Sequence, residues 1–192
     1  MTRDFVTVVS GLPRSGTSMM MRMLAAGGIE PFADGERAAD DDNPLGYFEL
    51  ERVKQLPDDA AWLAEASGRS VKVISALLDK LPPTFRYRVL FLEREMSEVL
   101  ASQRRMLERR GEPQRVSDEA MASMFGKHLE ALRQRLQARA DMQVMYVRYD
   151  RVVADPRATA EQVRTFLGGS LDADAMARAV EPSLYRQRRP SS

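Results

Sequence analysis

The 192-residue sequence predicts a three-layer α/β fold, with a mostly parallel central sheet of four or five strands flanked by helices. Three observations carry that expectation. Four short runs rich in β-branched residues read as buried strands, helical patterns separate them, and strands alternating with helices run parallel. The first run, residues 5–10 (FVTVVS), passes at once into a helical pattern over 16–26. The second is 70–75 (SVKVIS) and the third 87–92 (YRVLFL). After the third, Met96, Val99, Leu100, Gln103, Met106 and Leu107 recur at helical spacing over 95–109. A further stripe over 117–139 carries Ala120, Met121, Met124, Phe125, Leu129, Leu132 and Leu136. The fourth strand is 143–149 (QVMYVRY), and Asp155-Pro156 opens a last helical region through Leu167, stopped by Gly168-Gly169. Residues 1–185 are expected to form one domain, and 186–192 a basic tail.

Two connections depart from this alternation. Residues 30–50 are polar, acidic and turn-rich, of the length and kind that often carry function. Residues 110–117 hold Gly, Pro and charges between two helices and suit a flap.

Composition excludes several function classes. Twenty-nine Lys and Arg stand against 28 Asp and Glu, so no global basic field holds a nucleic-acid backbone. With no cysteine and one histidine, thiolate chemistry, disulfides and Cys- or multi-His metal centres are out of reach. No apolar run approaches the roughly 20 residues that span a bilayer, and residues 5–9 lack the length of a signal peptide. The expectation is a cytoplasmic protein that uses no metal and binds neither nucleic acid nor membrane.

The most informative stretch is Gly11-Leu12-Pro13-Arg14-Ser15-Gly16-Thr17-Ser18, between the first strand and the first helix. Two glycines bracketing four residues let backbone N–H groups curl inward, where a helix N-terminus adds its positive end. Ser15, Thr17 and Ser18 offer hydroxyls and Arg14 a permanent cation. The alternative is a tight strand–helix turn capped by Ser and Thr. A nucleoside-triphosphatase loop would place Lys after the second glycine, where this chain has Thr17. Nor does an apolar strand end in a clean magnesium-holding Asp; Tyr149-Asp150 comes nearest. The loop is therefore suited to a phosphate-like group without a triphosphate and without a metal.

This loop resembles the 5′-phosphosulfate loop of sulfotransferases that use 3′-phosphoadenosine 5′-phosphosulfate (PAPS), in their bacterial form. Phe91-Leu92-Glu93-Arg94 at the end of the third strand, with Ser102 eight residues after Arg94, is similar to the family's 3′-phosphate motif. A late stretch, Val147 to Pro156 with Phe166-Leu167-Gly168, looks like the family's last strand–helix segment. The resemblance implies a P-loop fold and transfer of a sulfuryl group to a hydroxyl or amine of a small or accessible acceptor, leaving adenosine 3′,5′-bisphosphate (PAP). It assigns Arg14, Ser15, Gly16, Thr17, Ser18, Arg94 and Ser102 to the nucleotide, with Arg186 of the tail as a further 3′-phosphate ligand. Arg14 would be an electrostatic clamp, since a guanidinium keeps its proton.

Rise along a helix separates residues eight apart by about 12 Å, so Arg94 and Ser102 converge only through a turn or bend. The plainer reading pairs Arg94 with Glu98 on the surface. For the base, Glu36 in Asp34-Gly35-Glu36-Arg37 resembles a catalytic Glu of the tyrosyl-protein branch. Glu49 in Asn43-Pro44-Leu45-Gly46-Tyr47-Phe48-Glu49 resembles an Asn-Pro-x-Gly-x-x-Glu stretch of bacterial members. His128 sits on an apolar helical stripe and reads as structural, as does Trp62 against the alternative of stacking on adenine. A kinase with an unusual loop and an inactive nucleotide-binding relative are the competing functions. The acceptor pocket is left to residues 30–66, to the 110–128 region or to a second subunit in a homodimer.

Overall fold

A computed structural model describes residues 4–36, 40, 46–181 and 183. Four parallel strands, β1 (Val6–Gly11), β2 (Ser70–Lys72), β3 (Tyr87–Glu93) and β4 (Met142–Arg148), lie in the order β2-β1-β3-β4. In register, Val8 sits between Val71 and Val89, and Val89 opposite Val144. The chain leaves β1 toward β2 on one side and returns past it to β3 on the other. That places a topological switch point at the carboxyl ends of β1 and β3, where ligands of such sheets bind.

Helices α1 (Thr17–Ala26), α2 (Met96–Arg110), α3 (Asp118–Gln137), α4 (Tyr149–Ala154), α5 (Pro156–Phe166) and α6 (Ala173–Arg178) accompany the sheet, with short 3₁₀ turns over Glu51–Gln55, Ala61–Ala64 and Ser75–Lys80. The period-two alternation of the strands divides the core. Val9, Leu90, Leu92 and Val147 face Met20, Met21 and Met23 of α1, Val163 of α5 and Met176 of α6. Val6, Val8, Val71 and Val89 face Trp62, Leu63, Leu78 and, on α3, Leu132 and Leu136. Trp62 is fully buried and donates through Nε1 to the Asp59 carbonyl at 3.2 Å, so its ring is core and meets no ligand. His128 is half-buried against the Ser75 hydroxyl, 3.0 Å away.

Three elements differ from the sequence expectation. The second strand stops at Lys72, and residues Ser75–Lys80 form a 3₁₀ turn instead. The Val73 N–H still reaches the Val9 carbonyl, but Ser10 and Gly11 then continue β1 paired with Phe91 and Leu92 of β3. Tyr149 begins a helix and does not end the fourth strand. The helix ending near Leu167 is not the last, because Asp172 caps α6 through the Ala175 N–H at 2.9 Å. Among the described residues no helix is long and apolar enough to cross a membrane.

Candidate active site

The loop between β1 and α1 is built by unusual backbone. Gly16 has φ 102°, and Arg14 itself has φ 69°, a left-handed conformation uncommon for a residue with a side chain. Strain of this kind persists where neighbours hold it. Here Arg94 does so, donating from Nη1 to the Arg14 carbonyl at 3.1 Å. The Arg14 side chain in turn donates from Nε to the Ser102 hydroxyl at 3.0 Å. Arg14 thus joins the two halves of the second motif. α2 stays helical from Met96 through Ser102, so neither a turn nor a bend brings Ser102 to Arg94. Arg14 fills the gap between them.

Arg94 also pairs with Glu98, Nε to Oε2 at 2.9 Å, as the plainer reading held. The pair is not on the surface: the two side chains are 8% and 7% exposed. The Arg94 guanidinium lies 4.5 Å from the centre of the Tyr149 ring. On the far side of the loop, Lys72 at the end of β2 reaches Ser18 Oγ at 3.4 Å and the Tyr47 carbonyl at 3.0 Å, with a Glu49 carboxylate oxygen at 3.5 Å.

These residues surround a cavity of about 540 Å³. Among the described residues its lining includes eight cationic side chains, Arg14, Arg22, Lys54, Lys72, Arg94, Arg105, Arg109 and Arg110, against one carboxylate, Glu49. Arg14, Gly16, Thr17, Ser18, Arg94, Ser102 and Glu49 therefore meet in one place. Ser15 does not join them. Its hydroxyl is buried under the loop without a hydrogen-bond partner among the described residues, and it lines a smaller cavity with Phe91 and Glu95. Glu36 is exposed, its N–H on Asp34 Oδ1 at 3.0 Å, and lies outside the cationic cavity. Arg186 lies outside the described residues. No cluster of metal-ligating side chains occurs among the described residues.

A family model for the sulfotransferase family matches residues 29–173. The chain belongs to that family. No curated protein sequence matches this sulfotransferase closely, but solved structures share its fold. The sulfotransferase domain of the Synechococcus PCC 7002 olefin synthase is 17% identical, with a TM-score of 0.55 over 100% of this chain and 91% of that one. The sulfotransferase domain from the curacin biosynthetic pathway is 16% identical, with a TM-score of 0.55 over 100% of this chain and 94% of its own. A mouse sulfotransferase complexed with PAP is 16% identical, with a TM-score of 0.54 over 92% of this chain and 63% of that one.

The cationic cavity contains residues that sequence reasoning missed. Lys72 had a signal, a cation inside an otherwise apolar strand run. Arg22, one turn beyond Ser18, had none, because it sits among helix residues that are simply amphipathic. Its Nε is buried without a hydrogen-bond partner among the described residues, and burial pushes its guanidinium below the ordinary value. Tyr149 read as the end of a strand. In the structure its ring lies against Gly16, so that a Cβ there would come within 2.4 Å of it.

Proposed function

We propose that this sulfotransferase takes its sulfuryl group from PAPS and transfers it to a hydroxyl of a small acceptor. The observation that carries the reading is Arg14, tied to both Arg94 and Ser102 in a cavity lined, among the described residues, by eight cations and one carboxylate. A cavity so charged suits a ligand with several anionic groups. The buried Nε of Arg22, without a hydrogen-bond partner among the described residues, is a second sign that the cavity fits an anion.

Gly16, Thr17, Ser18 and Arg14 would hold the 5′-phosphosulfate end, and Arg94 with Ser102 the 3′-phosphate. When bound, PAPS supplies a sulfuryl group on a phosphate leaving group and departs as PAP. Arg14 and the loop N–H groups put fixed positive charge where negative charge grows on that leaving oxygen. Glu49, the one carboxylate among the described lining residues, accepts the proton that the acceptor hydroxyl loses. Lys72 holds Glu49 toward Ser18 and the loop. Glu36 lacks this position, and we assign the base to Glu49.

Calorimetry tests the reading. The wild type is expected to bind PAP, and Arg14→Ala and Arg94→Ala to weaken it about tenfold or more. ATP with magnesium should bind less tightly than PAP. Unchanged PAP affinity in both variants refutes the assignment.

A further inference from the structure

Beyond the loop, the cavity continues along two walls that each carry apolar and cationic side chains. On one wall Glu49 is followed by buried Leu50 and Val53 and then by Lys54. On the other, α2 presents Ser102, then Arg105 and Met106, then Arg109, at the three- and four-residue steps of one helix face. Ile74 and Leu77 close the apolar middle, and Ile74 is 48% exposed, a large apolar side chain left open to the cavity. Lys54 is paired with Glu51 at 2.7 Å and Arg110 with Asp40 at 3.8 Å. Arg105 makes no ion pair among the described residues, and Arg109 follows it by one turn. From Ser102 the helix rises about 4.5 Å to Arg105 and about 10 Å to Arg109.

We propose that the acceptor is an acidic amphiphile. Its hydroxyl lies by Glu49, its apolar body rests on Leu50, Val53, Leu77 and Met106, and its anionic group meets Arg105. A neutral acceptor would leave these cations facing its apolar end, whereas an acid carried beyond the apolar body satisfies both. This assignment rests on the sulfotransferase reading above and adds the substrate class to it.

The test is calorimetry on the full chain saturated with PAP, so that the donor subsite is filled. The probes are ω-hydroxyoctanoate and its methyl ester. The acid is expected to bind about tenfold more tightly than the ester. Arg105→Ala should abolish that preference, Arg105→Lys should retain it, and neither should change PAP affinity. PAP binding with equal affinity for acid and ester overturns the acceptor assignment alone. Loss of PAP affinity in Arg105→Ala places this cation on the nucleotide and also overturns it. Failure of the wild type to bind PAP overturns the donor reading, and the acceptor assignment with it.

Discussion

Gly16 has two separate reasons to lack a side chain. Its φ of 102° suits glycine, and a Cβ would press to 2.4 Å from the Tyr149 ring. Gly16→Ala should therefore displace either the loop or the ring on which Arg94 stacks. We expect a stability loss of about 1–3 kcal/mol in urea denaturation. PAP affinity should fall in the same variant, read by calorimetry. Wild-type stability together with wild-type affinity would contradict this account of the loop. The first reason was legible, since glycine spacing announced the loop. The second was not, because Tyr149 is distant in sequence and its ring reaches Gly16 only after β4 pairs with β3. Arg94 teaches the same lesson. Its pairing with Glu98 follows from helix spacing, but its burial and its hold on the Arg14 carbonyl follow from the sheet.

At the scale of elements, the join between α3 and β4 is fixed by one arginine. Arg139 makes two hydrogen bonds to Asp141, Nε to Oδ1 at 2.8 Å and Nη2 to Oδ2 at 2.5 Å, and reaches back to the carbonyls of Asp79 and Leu81. These contacts hold the Asp141 carboxyl below its ordinary value, chiefly through the side-chain hydrogen bonds from Arg139. A depressed carboxylate contributes stability that is present above its unfolded value, about 3.9, and lost as pH falls through the lower folded value. Asp141→Asn is expected to cost about 1–3 kcal/mol at neutral pH and to flatten the acid limb of the stability curve. Denaturation across pH 2–7 checks this (roughly the span in which carboxylates titrate); a variant with an unchanged acid limb would refute it. Strands β1 and β3 were readable because β-branched and apolar residues fill both faces where the sheet is covered, and β4, an edge strand with Gln143, Tyr146 and Arg148 exposed, because its β-branched and apolar residues still form a run. The early end of β2 was not, because it depends on where its neighbour stops pairing.

For the molecule as a whole, charge is the telling quantity. The chain is almost neutral, with a formal net charge of +1, yet its cavity has cations facing one carboxylate among the described residues. PAP affinity should accordingly fall as salt rises from low to physiological ionic strength, where the screening length shortens from about 30 Å to about 8 Å. Titrations at several sodium chloride concentrations measure this. A salt-independent affinity would mean that Arg14, Arg94 and the cations beside them do not act together on the nucleotide.

The amino-acid order alone determined the strand–helix alternation, the glycine-bracketed loop between β1 and α1, and the second motif in which Ser102 follows Arg94 by eight residues. These are local properties, set by side-chain periodicity, glycine spacing and the charge of neighbouring residues. Only the folded chain decided that Arg14 would bridge Arg94 and Ser102, that Glu49 and not Glu36 would face the cavity, and that Lys72 and Arg22 would join it. Those outcomes depend on which strand ends lie side by side. Sheet order is a contest between long-range contacts, and no window of sequence contains it.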